Sequence, residues 1–263
     1  MLVTDRAERV MREAHRAATE ADQTASVFHV LIGALREGTG PLQELRETMP
    51  DLILALWEKA GSFTIVPIDY ALKRAEDIAN RYRQVYINEG HLVEAALMLE
   101  KHAIQDVLSE EQLQRIIKLV CSPRDMSVSL RTYRQPALKE AGGAISRAKL
   151  QDESRIIEYV IDEFGERWVE RVRECMQMTP PTVYVAERNN RLIGFACFLA
   201  DHQTARFGPM GVTHYAKNKG IGYNLLHRCL QDLYMQGVTD IRIEEAGPVE
   251  FYEKACGAGL ISK

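Results

Sequence analysis

Apolar residues recur every three or four positions through the first 120 residues, and that spacing predicts a series of amphipathic helices. Thr4 and Ser26 stand where helix N-caps belong, and Gly38 stands where a helix should end. Beyond Pro123 the pattern changes to apolar, β-prone runs separated by turn signals. The pattern alone therefore predicts a helical first half and a mixed α/β second half.

The helical half contains an internal repeat. Residues 5–9 align with residues 69–73, and residues 28–35 align with residues 90–97. A repeat of this length predicts two similar helical units packed together, because neither would bury its apolar face well alone. We expect the equivalent His29 and His91 to bond to backbone at helix starts, since no further ligands lie at metal-binding spacing.

The repeat resembles the N-terminal domain of Clp-type unfoldase ATPases at residues 6–11, 29–31 and 91–92. That resemblance implies a protein partner bound through residues 1–120. In that family an acidic residue usually precedes each repeat histidine and contributes to recognising cationic or phosphoarginine-bearing partners. Here those positions hold Phe28 and Gly90, and no Walker sequence for an ATPase motor is present.

The second half alternates predicted strands with predicted helices. Segment 126–134 alternates and predicts the first strand, whereas 137–149 predicts a loop near the substrate. Two amphipathic helices are predicted at 152–164 and 166–176. Further strands are predicted at 182–187, 191–200, 204–212 and 241–244, and a short helix at 249–255.

The segment 212–222 predicts a strand end, a glycine-bearing turn and the start of a helix. Gly220 and Gly222 leave the backbone bare where the helix begins, so its first N–H groups and its dipole face outward. Lys217 and Lys219 add positive charge beside them. These features predict a phosphate or pyrophosphate site, and hence a nucleotide-derived ligand.

The same segment resembles the central motif of the GNAT acetyltransferases, which places a valine before an Arg or Gln and a Gly-x-Gly helix start. Val212, Lys217, Gly220 and Gly222 fall on those positions, with Lys replacing the usual Arg or Gln. Residues 251–258 resemble the family's later motif, an aromatic-Tyr pair opening a small helix. The resemblance implies acetyl-CoA as co-substrate and acetyl transfer to an amine by direct attack in a ternary complex.

The resemblance also implies roles for individual residues. The pyrophosphate would bind the amides of 217–222, and the pantetheine arm would lie along the strand end where two parallel strands splay apart. Tyr252 would be the acid that protonates the leaving thiolate, unless it is only a packing aromatic. The implied cofactor-binding residues are Met210, Gly211, Val212, Lys217, Asn218, Lys219, Gly220, Ile221, Gly222 and Tyr223.

The general base and the acceptor stay open. The candidate bases near strand ends are Glu187, Asp201, His202, Glu244 and Glu245. The alternative is that no dedicated base exists, as in many members of the family. Small amines, aminoglycosides, peptide N-termini and protein lysines are all compatible acceptors.

The predicted fold is α+β with two domains: a helical double repeat over 1–120, a linker at 121–126, and a GNAT-type mixed sheet flanked by helices over 127–263. The family's fold closes with a long two-stranded hairpin, but only one short strand fits after Ala258. We therefore expect shortened C-terminal strands and an exposed sheet edge, covered by a homodimer partner or by the N-terminal helices.

Composition excludes several function classes. A net charge of −4 and a pI near 6.0 give no footprint for nucleic acid or a membrane surface. The five scattered cysteines, with no metal spacing, predict reduced thiols, no metal and a cytoplasmic protein without signal peptide or membrane span. The alternative function is a non-catalytic interaction or CoA-sensing module built on a drifted acetyltransferase domain.

Overall fold

The computed structural model describes residues 2–82 and 84–261, which fall into two compact units. Unit 1 takes in the chain up to Arg124 and the segment Gly247–Phe251. Unit 2 takes in Asp125–Ala246 and Tyr252–Ile261.

Unit 1 is built from short amphipathic helices whose apolar faces meet in one core. A short parallel pair joins β1 (Leu2–Val3) to β2 (Tyr86–Ile87). The helices are α1 Asp5–Glu20, α2 Val27–Glu37, α3 Pro41–Thr48, α4 Leu52–Glu58, α5 Asp69–Arg81, α6 Glu89–Leu99, α7 Lys101–Val107 and α8 Glu110–Ile116, with a 3₁₀ turn at Ala60–Ser62 and a π-helical turn at Ile117–Cys121.

The predicted helix starts are confirmed. Thr4 caps α1 by accepting a hydrogen bond from the Ala7 amide at 3.3 Å. The Ser26 amide donates to Nδ1 of His29 at 3.2 Å, and the Asn88 amide donates to Nδ1 of His91 at 3.1 Å. Both histidines therefore act at helix starts, as expected from their equivalent positions.

Backbone hydrogen bonds join the segments that precede the helices of unit 1. The Thr4 amide, before α1, donates to Ile87 O at 2.9 Å, next to the parallel pair of β1 and β2. The Val27 amide, at the start of α2, donates to Val66 O at 2.9 Å, beside an antiparallel bridge between Ser26 and Pro67. Phe28 is 3% exposed and packs on Trp57, so this position presents no side chain at the surface.

Unit 2 is a mixed sheet with helices on both faces. Its strands are β3 Arg124–Ser129, β4 Ala144–Arg147, β5 Val183–Arg188, β6 Arg191–Asp201, β7 Thr204–Val212, β8 Asp240–Ala246 and β9 Gly259–Leu260. Its helices are α9 Glu153–Phe164, α10 Val169–Met176 and α11 Ile221–Met235, and α12 Val249–Cys256 begins in unit 1 and ends in unit 2. Among the described residues the sheet order is β4-β5-β6-β7-β8-β3-β9.

Strand direction and burial follow from the sequence pattern. The pairs β4–β5, β5–β6, β6–β7 and β3–β9 are antiparallel, and β7–β8 is parallel. Val183 and Val185 of β5 turn the same way and share a core with Ile156 of α9 and Val172 of α10. On the opposite face α11 approaches β6 so closely that a Cβ at Gly194 would lie 3.1 Å from Leu225.

Two sequence expectations for this sheet are corrected. The predicted linker 121–126 ends inside β3, because Arg124, Met126 and Val128 alternate as buried positions along a strand. The predicted loop 137–149 contains β4, which is the edge strand beside β5. Alternation predicted a strand at 126–134, and the observed strand is Arg124–Ser129, so the prediction was right in kind but not in its bounds. A local pattern also does not say which strand lies beside it.

The expected open edge beside β8 is not open. β3 lies next to β8, and the Leu130 amide donates to Thr239 O at 2.7 Å. β9 then pairs with β3 through Met126 and Leu260. The edge beside β8 is therefore paired within unit 2, and the expected homodimer stays a prediction.

Candidate functional site

The parallel strands β7 and β8 separate halfway along the sheet. Their pairing runs from Thr204–Asp240 to Phe207–Ile243 and ends there. β7 continues to Val212 while remaining paired with β6, so its other edge has no strand partner within the described chain. This fork opens a slot beside the last residues of β7, where the family resemblance implied one.

The slot leads to the glycine-bearing turn. β7 ends at Val212, a 3₁₀ turn covers His214–Ala216, and α11 begins at Ile221. Gly220 is the N-cap, with a φ of +76° that glycine adopts without strain. Within the part of the chain that the structure describes, the amides of residues 221–223 donate to no acceptor. The predicted strand–turn–helix and its free amides are confirmed.

The two lysines of the turn differ in environment. Lys217 is half-buried; burial lowers its pKa, and the carboxylate of Glu163 opposes that shift. Lys219 is exposed, and its ammonium donates to Tyr215 O at 3.1 Å. Asn218 is exposed at a φ of +62°, and Ile221 is only 1% exposed, so Ile221 can face a ligand through its amide alone.

The slot side of β7 is shaped by an aromatic ring that sequence reasoning missed. Gly211 is buried, and a Cβ there would lie 2.5 Å from the Phe164 ring at the end of α9. Tyr159 of the same helix lies with its hydroxyl 2.8 Å from Oγ1 of Thr213. Met210, which precedes Gly211 in β7, is half-buried. α9 therefore fixes the strand end whose backbone lines the slot.

Tyr252 lies at the fork. Its ring packs edge-on against Phe207, the last residue of β7 paired with β8, with 6.3 Å between ring centroids. The side chain is 7% exposed, and burial raises the pKa of its phenol. Tyr252 is therefore protonated at neutral pH, the form that can donate a proton.

Three of the five candidate bases are tied to arginines. Glu187 pairs with Arg155 at 2.6 Å, and Glu244 lies 3.5 Å from Arg171. Glu245 pairs with Arg167. Each of these carboxylates therefore already has a cationic partner, and serving as the base would require it to leave that partner.

The other two candidates lie where β6 turns into β7: Asp201 is the last residue of β6, and His202 is in the turn that follows. Both are exposed, and that turn precedes Thr204, at the end of β7 opposite the slot. The structure therefore does not bring the five candidate bases together.

A segment between β3 and β4, residues 130–143, packs along α11; we call it the strap. The Lys139 amide donates to Oδ1 of Asn224, and Nδ2 of Asn224 donates to Lys139 O, each at 2.8 Å. The Lys139 ammonium lies 4.4 Å from the centre of the Tyr223 ring. Tyr223, a predicted cofactor contact, is therefore covered in part by the strap.

Comparison with known proteins agrees with this geometry. The fork, the turn and Tyr252 all lie within residues 148–258, which match the model of the Acetyltransferase (GNAT) family. Residues 148–258 form a GNAT acetyltransferase domain. For the helical residues before Arg124, the Clp-type assignment stays a prediction. Comparison with curated proteins gives no match.

Solved structures that resemble the chain include acetyltransferases of low sequence identity. The glucosamine N-acetyltransferase region of a fungal multi-domain GH3 β-N-acetylglucosaminidase is 14% identical over 57% of this chain and 22% of that chain, with a TM-score of 0.48. A GCN5-related N-acetyltransferase from Sphaerobacter thermophilus is 18% identical over 65% and 64%, with a TM-score of 0.45. A GNAT-family acetyltransferase from Colwellia psychrerythraea is 12% identical over 58% and 60%, with a TM-score of 0.43. This chain spans less than two thirds of each of these proteins.

Within the described residues, none of the helices combines the length and the apolar character that a membrane span requires. Likewise, no group of three or more His, Cys, Asp or Glu side chains in residues 2–82 and 84–261 is placed to hold a metal ion.

Proposed function

We propose that the protein is an acetyl-CoA-dependent N-acetyltransferase that moves an acetyl group to an amine by direct attack in a ternary complex. The observation that carries this proposal is the fork between β7 and β8, which leads to a helix start with unpartnered amides. Both features lie inside the region that matches the GNAT family.

The slot and the turn suit the two ends of the cofactor. The diphosphate would accept hydrogen bonds from the amides of residues 218–222, where the dipole of α11 adds positive potential. The pantetheine arm carries amides of its own and would pair with the free backbone edge of Met210–Val212. The thioester would then lie at the fork, near Phe207 and Tyr252.

The transfer itself needs few groups. The acceptor's nitrogen lone pair attacks the thioester carbonyl carbon, the C–S bond breaks, and the thiolate takes the hydroxyl proton of Tyr252. The amide nitrogen gives its surplus proton to water, from which Tyr252 is reprotonated. We assign no dedicated base, because three candidate carboxylates are ion-paired and the remaining two groups lie at the other end of β7.

We further propose that unit 1 is a two-fold repeat of the Clp N-terminal type that binds a protein partner. The equivalent caps made by His29 at the start of α2 and by His91 at the start of α6 support the repeat. Phe28 is buried, and a Cβ at Gly90 would lie 2.6 Å from Val120 O. Recognition of a cationic partner through acidic side chains at these two positions is therefore not part of the proposal.

Calorimetric titration of acetyl-CoA into the full chain tests the cofactor site. We expect the wild type to bind and Gly222→Glu to lose binding, because the new carboxylate would lie in the first turn of α11 against the diphosphate. Gly61→Glu is the matched control, since a Cβ there meets nothing within 4 Å. Absence of binding by folded wild type would contradict the enzyme and leave the helical unit as the working part.

Replacing Tyr252 by Phe tests the acid. We expect acetyl-CoA binding to stay within about threefold while the turnover number falls by roughly 10²-fold or more, because general acid catalysis commonly contributes that much. CoA release would be followed by chromatography with a panel of amine acceptors. Unchanged turnover would remove Tyr252 from the mechanism, and binding without turnover of any acceptor by wild type would favour the CoA-sensing alternative.

A further inference from the structure

We propose that the strap contributes Lys139 to the cofactor site, where its ammonium binds a phosphate group of coenzyme A, and that Asn224 positions it. This inference rests on the proposed function. It adds a binding residue outside the region that matches the GNAT family, from the segment between β3 and β4.

Asn224 holds the strap by its backbone. Its side chain is 5% exposed and makes both hydrogen bonds, from Nδ2 and to Oδ1, with the main chain of Lys139. Because the contact uses only backbone atoms of residue 139, it fixes the place of that residue and leaves its side chain available. Because both polar atoms of this buried amide bond to the same residue, the contact fixes the position of residue 139 specifically.

Further contacts hold the strap against α11 at one end and against β5 at the other. Oη of Tyr133 lies 3.0 Å from Nδ1 of His227, one helical turn beyond Asn224. At the other end of the strap, Arg188 donates to Ala141 O at 3.3 Å. The strap is therefore a fixed part of unit 2 that passes over the start of α11.

Gly220 shows how closely the strap approaches the proposed phosphate seat. A Cβ built at Gly220 would lie 2.7 Å from Cβ of Lys139. The Lys139 ammonium lies above the ring of Tyr223, the third residue of α11. The side chain of Lys139 thus starts at the N-cap of α11 and ends beside its first turn.

Positive charge is in excess at this place. Among the described residues Lys139, Lys217 and Lys219 form no ion pair, and the carboxylate that acts on Lys217, that of Glu163, offsets only one of the three ammonium groups. Positive charge beside the positive end of a helix dipole is unfavourable, so this arrangement is relieved by a bound anion. Coenzyme A carries a diphosphate and a 3′-phosphate, and either fits this requirement.

Titration of acetyl-CoA into the full chain and its variants tests the proposal. Lys139→Met keeps the length of the side chain and removes its charge, and we expect its Kd to rise roughly tenfold, as for loss of one charge-assisted contact. Lys139→Arg should restore binding to within about threefold. Lys149→Met is the matched control and should bind as wild type, because Lys149 follows the opposite end of β4.

The same titration with dephospho-coenzyme A separates the two phosphate sources. If Lys139→Met loses affinity for acetyl-CoA but not for dephospho-coenzyme A, the ammonium binds the 3′-phosphate. If it loses affinity for both, the diphosphate is the partner. Either result supports the proposal, whereas wild-type affinity of Lys139→Met for both ligands overturns it while leaving the acetyltransferase intact. Absence of acetyl-CoA binding by wild type overturns the strap site and the proposed function together.

Limited trypsin digestion gives a second measurement that does not depend on turnover. Arg134 and Lys139 are exposed cleavage sites in the strap, and bound acetyl-CoA should slow cleavage at Lys139 several-fold. Asn224→Leu should raise the Kd for acetyl-CoA and speed cleavage at Lys139, whereas Asn224→Gln should restore part of both. Cleavage at Lys139 that acetyl-CoA leaves unchanged would contradict the contact.

Discussion

Gly33 is the residue at which the first two helices of unit 1 meet backbone to backbone. A Cβ at this position would collide with the Val10 carbonyl and would lie 2.7 Å from the Ala14 amide nitrogen. α1 presents small buried residues there, so α2 can approach without intervening side chains. Because the opposing atoms belong to a helix backbone, no rotamer change can make room for a methyl group.

Replacing Gly33 by Ala should therefore destabilise unit 1 by about 3 kcal/mol, at the upper end of overpacking costs. Urea unfolding of the full chain would be followed by Trp57 fluorescence in a Trp168→Phe background, since these are the two tryptophans of the chain. Gly61→Ala is the control and should change stability by less than about 1 kcal/mol, because its Cβ meets nothing within 4 Å. Equal stability of Gly33→Ala and wild type would contradict the close crossing.

Single residues of the site differ in how far the sequence could predict them. Gly220 and its free amides were predictable, because a strand end, a turn and a helix start follow one another directly in the chain. Lys139 and Phe164 were not, since each reaches the site from another element. Lys139 is separated by 85 positions from the Asn224 that holds it, and nothing local marks that contact.

At the scale of elements, three helices of unit 1 start with the same reciprocal cap. The N-cap amide of each donates to the side chain three residues later: Ser26 to His29, Asn88 to His91 and Ser109 to Gln112. The two histidines accept these hydrogen bonds through Nδ1, so Nδ1 must carry no proton. Burial lowers the pKa of His91 to about 4, and it lowers the pKa of His29 as well.

The cap of His91 predicts a pH dependence of stability. The folded pKa of about 4 lies below the ordinary value of 6.5, so the unfolded chain takes up the proton first as the pH falls. The contribution of His91 to the free energy of unfolding is complete above pH 6.5 and is lost as the pH falls towards 4. In full it amounts to about 3 kcal/mol. His91→Gln keeps a hydrogen-bond acceptor for the N-cap amide, since Gln112 accepts the same kind of bond at the start of α8. A glutamine side chain, however, cannot titrate.

Urea unfolding of unit 1 between pH 7 and pH 4.5, followed by Trp57 fluorescence, measures this difference. The free energy of unfolding of wild type should fall more steeply than that of His91→Gln, by about 2 kcal/mol near pH 5. The comparison uses the slope with pH, so a constant packing cost of the substitution cancels. Parallel curves would show that His91 does not titrate on unfolding in this range.

Elements of unit 2 were predictable in kind but not in position. Alternating burial of Arg124, Met126 and Val128 marks β3 as a strand, yet its neighbours β8 and β9 follow it in the chain by more than a hundred residues. β4 has only four residues, of which none is fully buried, so its pattern gives almost no signal. Pairing partners depend on the whole sheet, and periodicity within one strand does not contain that information.

At the scale of the molecule, the sheet of unit 2 is completed by strands from both sides of the GNAT domain. β3 precedes residue 148 in the chain, and β9 follows residue 258. Residues 124–126 of the predicted linker therefore belong to β3, and the edge beside β8, which the sequence predicted to be exposed, is paired with that strand. A strand that lies between two others in a sheet contributes hydrogen bonds and buried surface on both sides, so it should be required for stability.

Met126→Asp tests that requirement against Ser127→Asp on the same strand. Met126 is fully buried, whereas Ser127 faces solvent and pairs with Gly259 through its backbone. We expect Met126→Asp to destabilise unit 2 by about 3 kcal/mol or more, because a carboxylate loses its hydration in the core. Ser127→Asp should cost less than about 1 kcal/mol, the range of strand propensities. Urea unfolding followed by Trp168 fluorescence in a Trp57→Phe background measures both, and equal, small effects would show that the segment acts as the linker that the sequence predicted.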